Sequence, residues 1–247
     1  MGFREFVRAR PRLDRLRKDV RFVQQIPRRG LSGPKARAAW RVRRYTLLSY
    51  DRLATLHDLA RLAPQGAFVE CGVFEGGSAG MAALSNPHRD MWLFDSWEGL
   101  PEPGPEDVAV EGHRRAAGWN YAEQQRVEEL MFDRLHLSRS CVHLIRGWFQ
   151  DTVPESRDQI GPIALLHLDG DWYESIKLCL DQLYEQVVSG GFVVVDDYHH
   201  WQGCKKAVDE FLATREQVLL QTAGNAVHWR KPAQAPTTRR RVPTITS

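Results

Sequence analysis

The stretch Phe68-Val69-Glu70-Cys71-Gly72-Val73-Phe74-Glu75-Gly76-Gly77-Ser78 decides how the rest of this chain is read. An apolar run, a turn rich in glycine and the start of a helical pattern follow one another without a gap. That order is the first unit of an α/β sheet, and the glycines let a ligand approach backbone N–H groups closely. From Gly72 the pattern is G-x-x-x-G-G, not the G-x-G-x-x-G fingerprint of dinucleotide sites. Glu70, inside the strand end, suits a cationic ligand better than a pyrophosphate. A plain glycine turn of any α/β protein would look the same locally, so the neighbouring stretches have to decide.

Three of them do. Leu93-Phe94-Asp95-Ser96, His167-Leu168-Asp169-Gly170-Asp171 and Phe192-Val193-Val194-Val195-Asp196-Asp197 each end an apolar run with acids. In a doubly wound sheet the C-terminal strand ends line the ligand crevice. One sheet edge would then carry five carboxylates beside the glycine turn. Asp95 follows that turn by about 20 residues, a spacing at which an acid accepts hydrogen bonds from ribose hydroxyls. Asp169, Asp171, Asp196 and Asp197 offer hard oxygen ligands suited to Mg²⁺, Ca²⁺ or Mn²⁺. Asp171, two residues beyond Asp169, is free to act as a base near such an ion. The competing reading makes these acids helix caps or solvated loop residues; two acid pairs after two apolar runs favour the metal.

The surrounding pattern supports one large domain in 247 residues with 43% apolar content. Helical spacing runs over 3–24 and again over 47–62, where Leu47, Leu48, Leu53, Leu56, Leu59, Ala60 and Leu62 share a face and Ser49 or Asp51 caps the start. Breakers stand at Pro27, Gly33-Pro34 and Pro64-Gln65-Gly66. Strands are expected at 67–71, 91–95, 142–145, 163–168 and 192–196, and helices at 77–85, 119–136, 173–188 and 203–216. Gly190-Gly191 is read as the end of the 173–188 helix. Residues 217–222 and 226–229 form a terminal antiparallel pair. Residues 96–118 show no period, and a loop that long in a compact domain is usually functional or disordered. Alternating strands and helices give a mostly parallel sheet.

Charge is segregated beneath a net +3. Residues 1–44 hold 15 Lys/Arg against 3 Asp/Glu, and residues 230–247 hold 5 Lys/Arg and no acid, which leaves −14 on residues 45–229. A basic arm on an acidic body can bind nucleic acid or an anionic surface. Packing on the body's own acidic face, or on a second subunit's, is the simpler reading. No aromatic stacking pattern or nucleic-acid module accompanies the arm. No apolar run approaches the roughly 18–20 residues of a membrane span, and the Arg-rich start lacks the apolar core of a signal peptide. Cys71, Cys141, Cys179 and Cys204 show no paired or zinc-site spacing and read as reduced packing cysteines of a cytoplasmic protein.

Phe-Val-Glu-Cys-Gly-Val-x-x-Gly-Gly-Ser, Phe-Asp-Ser-x-Glu-Gly-Leu-Pro, Leu-Asp-Gly-Asp-x-Tyr-x-Ser and Asp-Asp-Tyr…Trp-x-Gly-Cys-x-x-Ala-Val-Asp-Glu-Phe, taken in order, resemble the macrocin O-methyltransferase family. The likeness runs from about Tyr45 to Phe211. It implies a Rossmann-like class I methyltransferase fold using S-adenosylmethionine and Mg²⁺ to methylate a sugar hydroxyl of a natural product, as in antibiotic biosynthesis. It implies that Glu70, Gly72 and Ser78, with Cys71 and Gly77 of the same turn, surround the methionine part of the cofactor. Asp95, with Ser96 beside it, would hold the ribose, and Gly147 and Trp148 would border the adenine. Asp169, Asp196 and Asp197 match the Mg²⁺ ligands, Asp169 also adjoins the cofactor, and Asp171 matches the general base. Tyr45-Thr46-Leu47-Leu48 leads into the cofactor site, and the stretch after Pro101 closes over substrate. Tyr198, His199 and Trp201 are candidates for the acceptor pocket; His200 has no assigned role. Members are commonly homodimers or larger. The domain is expected over 45–231, between a basic helical extension, 1–44, and a disordered tail, 232–247. A catechol-type O-methyltransferase is the nearest rival, and a non-catalytic or nucleic-acid-associated cofactor-binding protein a more distant one.

Overall fold

The computed structural model describes residues 33–215 and 218–233. The expected helix over 3–24 and all of the tail beyond Ala233 lie outside the described residues. The described chain enters through α1 (Pro34–Val42). Pro34 stands in its first turn, where a missing N–H costs nothing, so Gly33-Pro34 starts a helix here as well as breaking the preceding pattern. Next comes α2 (Tyr50–Leu62), which buries Leu53, Leu56, Leu59 and Ala60 at helical spacing. Ser49 is its N-cap residue but makes no side-chain cap bond. Leu47 and Leu62, expected on the same buried face, are exposed. Leu47 precedes the helix, and Leu62 is its last residue.

The body then alternates as β1 (Ala67–Cys71), α3 (Gly77–Ala83), β2 (Met91–Asp95), α4 (Gln124–Glu128), β3 (Val142–Arg146), α5 (Phe149–Ile160), β4 (Ile163–Leu168), α6 (Tyr173–Leu183), β5 (Val187–Val195), α7 (Gln202–Ala213), β6 (Gln221–Ala223) and β7 (Ala226–Arg230). The sheet order is β3-β2-β1-β4-β5-β7-β6. The first five strands are parallel, and β7 and β6 join antiparallel. Strand order reverses between β1 and β4, the place where such sheets open a crevice at their C-terminal edge. Alternate strand residues feed opposite cores: Phe68, Met91, Leu93, Leu165 and Val194 pack under α1–α3, while Val69, Phe94, Leu166, Val193 and Val195 pack under α5–α7. Burial on both faces is why β1, β2 and β4 read as largely apolar runs.

Three expectations are corrected. The helix read over 119–136 is shorter, starting at Gln124 and passing into a π-helical turn, Glu129–Arg134. Gly190-Gly191 does not end a helix. α6 stops at Leu183, and both glycines lie inside β5, opposite a register shift where Ile163 pairs with Val187 but Leu165 pairs with Phe192. Gly190, at φ +77°, supplies the backbone turn that this bulge needs. Finally, α5 was not anticipated: it buries few apolar residues and carries Pro154 inside.

Candidate active site

The C-terminal edge of β1, β2, β3, β4 and β5 surrounds one cavity, and all five strand-end carboxylates line it. Gly72 makes the closest approach. At φ +95°, an added Cβ would lie 2.1 Å from the Asp169 carbonyl oxygen, so the turns after β1 and β4 touch backbone to backbone. Gly77 performs the same service toward the entering segment, since a Cβ there would meet Thr46 Cβ at 2.5 Å and the Tyr45 oxygen at 2.7 Å. That contact brings Tyr45, Thr46, Leu47 and Leu48 into the cavity wall.

Asp95 organises the glycine turn. Its Oδ2 accepts from the Val73 and Phe74 amides at 2.7 and 2.9 Å, and its Oδ1 accepts from the Trp97 amide at 2.7 Å. A carboxylate has about four lone-pair positions, so Asp95 can still accept from a ligand. Ser78, Ser96, Gly147 and Trp148 also line the cavity. Glu70, Cys71 and Gly77 stand behind the wall. Glu70 is fully buried and pairs with His167 Nδ1 at 2.7 Å. Burial opposes a charge on His167, but the hydrogen bond and charge of Glu70 outweigh it and raise the ring above its ordinary value.

Asp169, Asp196 and Asp197 offer carboxylate oxygens within 4.8 Å of one another. Asp196 is tied on one side only. Its Oδ2 contacts the guanidinium of Arg52, and its Oδ1 is buried without a hydrogen-bond partner. An orphaned carboxylate oxygen in a cluster of like charge fits a bound cation. Without one, burial drives these groups toward the protonated form: Asp196 is pushed up to about 6 by burial against the opposing pull of Arg52. Asp169 is raised well above the ordinary carboxylate range by burial and by Asp196 and Asp197. Asp171 is raised similarly by burial and Asp197, while Trp201 pulls the other way. Trp201 Nε1 donates to Asp171 Oδ1 at 2.7 Å and so fixes the carboxylate. Phe74, Asn120 and Asp171 line the cavity with positive φ although none is glycine. Such strain collects where surrounding structure enforces a functional geometry.

The long loop after β2 is a strap over the opening. Asp107 ties it down by accepting from the Tyr173 amide at 2.8 Å and the Gly104 amide at 2.7 Å. Ala109 bridges Trp201, and Trp172 Nε1 donates to the Pro101 oxygen at 2.9 Å. Leu100, Arg115 and Trp119 of the strap line the cavity, with the Arg115 guanidinium 4.4 Å from the Trp119 ring centre. His200 and Trp201 line it from the other side. Burial, reinforced by His113, lowers His200 below its ordinary value. Tyr198 and His199 stand off the wall: Tyr198 donates to Asp209 at 2.6 Å, and exposed His199 packs against its ring. Sequence reading missed Arg52, Arg115 and Trp119, because a lone arginine on a helix or in a loop carries no local signal of what it will face. All four cysteines are free, and only Cys141 is not buried. No helix among the described residues is long and apolar enough to cross a membrane.

Residues 14–231 match the family model described as macrocin-O-methyltransferase. The chain is 34% identical over 177 residues to the 8-demethyl-8-(2,3-dimethoxy-alpha-L-rhamnosyl)-tetracenomycin-C 4'-O-methyltransferase of Streptomyces olivaceus, covering 68% of this chain and 67% of that one. It is 31% identical over 207 residues to the demethyldecarbamoylnovobiocin O-methyltransferase of Streptomyces niveus, covering 78% of each. Among solved structures, the O-methyltransferase NovP superposes with a TM-score of 0.67 at 28% identity, over 88% of this chain and 98% of its own. The family match spans the sheet, the acid cluster and the strap together, and this chain therefore belongs to the macrocin O-methyltransferase family and is an S-adenosylmethionine-dependent O-methyltransferase.

Proposed function

We propose that this enzyme methylates a hydroxyl of a sugar, a deoxysugar or sugar unit of a glycosylated natural product, with Mg²⁺ held by Asp169, Asp196 and Asp197. The observation that carries the reading is the trio of carboxylates, Asp196 buried and Asp169 and Asp197 half-buried, with an unpartnered Asp196 oxygen, sharing one cavity with the glycine turn and Asp171. The rhamnosyl acceptor named for the Streptomyces olivaceus relative supports a sugar. When bound, S-adenosylmethionine supplies an electrophilic methyl group and Mg²⁺ supplies a Lewis acid that acidifies an acceptor hydroxyl.

The chain's own residues do the rest. The Gly72–Ser78 turn, Asp95 and the Gly147-Trp148 corner hold the cofactor. Asp171, oriented by Trp201, takes the hydroxyl proton; burial raises its affinity for protons above that of an ordinary carboxylate. Leu100, Arg115, Trp119 and His200 form the acceptor side and keep water from the reacting groups. A cytoplasmic, homo-oligomeric enzyme acting on a small molecule rather than a nucleic acid completes the proposal; light scattering on the purified protein checks the assembly.

The test is product mass spectrometry over panels of glycosides and catechols with S-adenosylmethionine and Mg²⁺, on wild type and Asp171→Asn. Glycoside methylation is expected, falling by about 10²–10⁴-fold in the variant while S-adenosylhomocysteine affinity holds. Methylation of catechols alone would replace the sugar reading. Loss of cofactor binding in parallel with turnover would remove Asp171 from the role of base.

A further inference from the structure

Arg52, in the first turn of α2, reaches the acid cluster and contacts Asp196 Oδ2. The two side chains are nearly out of solvent, at 16% and 3% exposure. The β6–β7 turn lies beside the arginine stem, where a Cβ added at Gly224 would come within 3.5 Å of Arg52 Cγ. The same turn holds the acidic loop, as the His199 amide donates to the Asn225 oxygen at 2.9 Å. Helix α2, the hairpin and the Asp196-Asp197 turn therefore fix one arrangement of this contact. In that arrangement Asp196 has one oxygen committed and one, Oδ1, buried and unpartnered.

With Oδ2 engaged by Arg52, the oxygen of Asp196 left without a partner is Oδ1, and a metal that takes a single oxygen from this carboxylate leaves the Arg52 contact undisturbed. The distinction matters because Mg²⁺ demands near-octahedral geometry, whereas Ca²⁺ accepts 6–8 oxygens and takes carboxylates bidentate. We propose that Arg52 is a positioning residue for the cation site: by occupying Asp196 Oδ2 it holds Asp196 to a single metal-facing oxygen and selects Mg²⁺ over Ca²⁺. The inference rests on Asp169, Asp196 and Asp197 being cation ligands. Charge alone does not produce it, because a nearby guanidinium repels both divalent ions to the same degree. The ratio of the two affinities isolates geometry from charge.

The experiment is calorimetric titration of MgCl₂ and of CaCl₂ into the full metal-free chain, for wild type, Arg52→Lys and Arg52→Met. Outer-shell partners of metal ligands typically govern 10–100-fold in affinity, and the wild-type preference for Mg²⁺ is expected to shrink by about tenfold or more in both variants. Arg52→Lys keeps the charge, so a preference lost in that variant identifies the placement of the guanidinium on Oδ2. Melting curves and S-adenosylhomocysteine binding verify that each variant is folded; should Arg52→Met fail to fold, Arg52→Lys decides. Equal shifts for both ions, or none, would overturn the inference while leaving the metal site standing. Absence of either metal from wild type would overturn the metal site itself and the inference with it.

Discussion

Replacing Gly72 with alanine separates backbone strain from the close contact that joins the cofactor turn to the acid cluster. The residue stands at φ +95°, and an added Cβ would lie 2.1 Å from the Asp169 oxygen and 2.7 Å from its carbonyl carbon. Gly112 in the strap is the matched control, at φ +88° with nothing within 4 Å of an added Cβ. Both substitutions carry left-handed strain of roughly 1–2 kcal/mol. Only Gly72→Ala must also push two backbone segments apart by roughly 1 Å to regain ordinary contact, and overpacking of this kind costs about 1–3 kcal/mol. Each kcal/mol lowers Tm by about 2–4 °C in a chain of this size. Gly72→Ala is thus expected to melt about 2–12 °C below Gly112→Ala. A 1 Å displacement of a reacting group can cost on the order of 10²-fold in rate, so Gly72→Ala should also lose turnover while Gly112→Ala keeps it. Thermal melts and product formation measured side by side check both statements. Equal melting temperatures for the two variants would refute the reasoning, because strain alone would then account for Gly72.

Two further outcomes follow from the site's charges and from the strap. Carboxyls raised by burial bind protons more tightly folded than unfolded, so their stability contribution is full below the ordinary value of about 3.9 and is lost as pH rises, for Asp196 through about 6. Metal-free protein should therefore melt higher at pH 5 than at pH 8, and saturating Mg²⁺ should flatten that slope; a Tm in chelator that climbs with pH would contradict it. Asp107→Ala removes the acceptor of the Tyr173 amide, which ties the strap to α6, and of the Gly104 amide within the strap. With about 1.5–3 kcal/mol for each charged hydrogen bond, the strap should become protease-sensitive and the acceptor KM should rise severalfold while S-adenosylhomocysteine affinity stays put. Unchanged proteolysis would show that the strap is held elsewhere.

The sheet was legible because a strand buried on both faces needs an apolar run, as β1, β2 and β4 show. The acid positions were legible for the same reason: Asp95, Asp169 and Asp196 each occupy the first polar position at or just past a strand end. What failed is what depends on distant partners. Gly190-Gly191 has the composition of a helix stop, yet β5 runs through it because β4 and β7 offer ladders on either side. The α5 segment shows little apolar period, since its contacts come from Thr152, Val153, Ser156 and Ile160 spread around Pro154. Tyr198 adjoins the acid pair in sequence but turns away to Asp209, whereas Arg52, about 144 positions from Asp196, reaches it. Sequence distance predicted neither.

Asp95 and Asp196 show why the same residue type at equivalent strand ends performs different work. The carboxylate of Asp95 meets three backbone amides from Val73, Phe74 and Trp97, which oppose the rise that burial imposes on it, so much of its charge is answered by the fold itself. Its position is then set before any ligand arrives. The acids after β4 and β5 receive far less. Asp196 has Arg52 on one oxygen and nothing on the other; Asp171 has the Trp201 ring N–H. Buried like charges with so few donors destabilise the empty arrangement, and the difference must be supplied by protons at low pH or by a cation near neutrality. A site built this way binds its ion with the free energy that its own burial withheld, and releases protons as it does so. The same deficit raises the proton affinity of Asp171, the property on which its proposed role as base depends. Had the fold answered every carboxylate as it answers Asp95, the cavity would be stable, rigid and chemically idle.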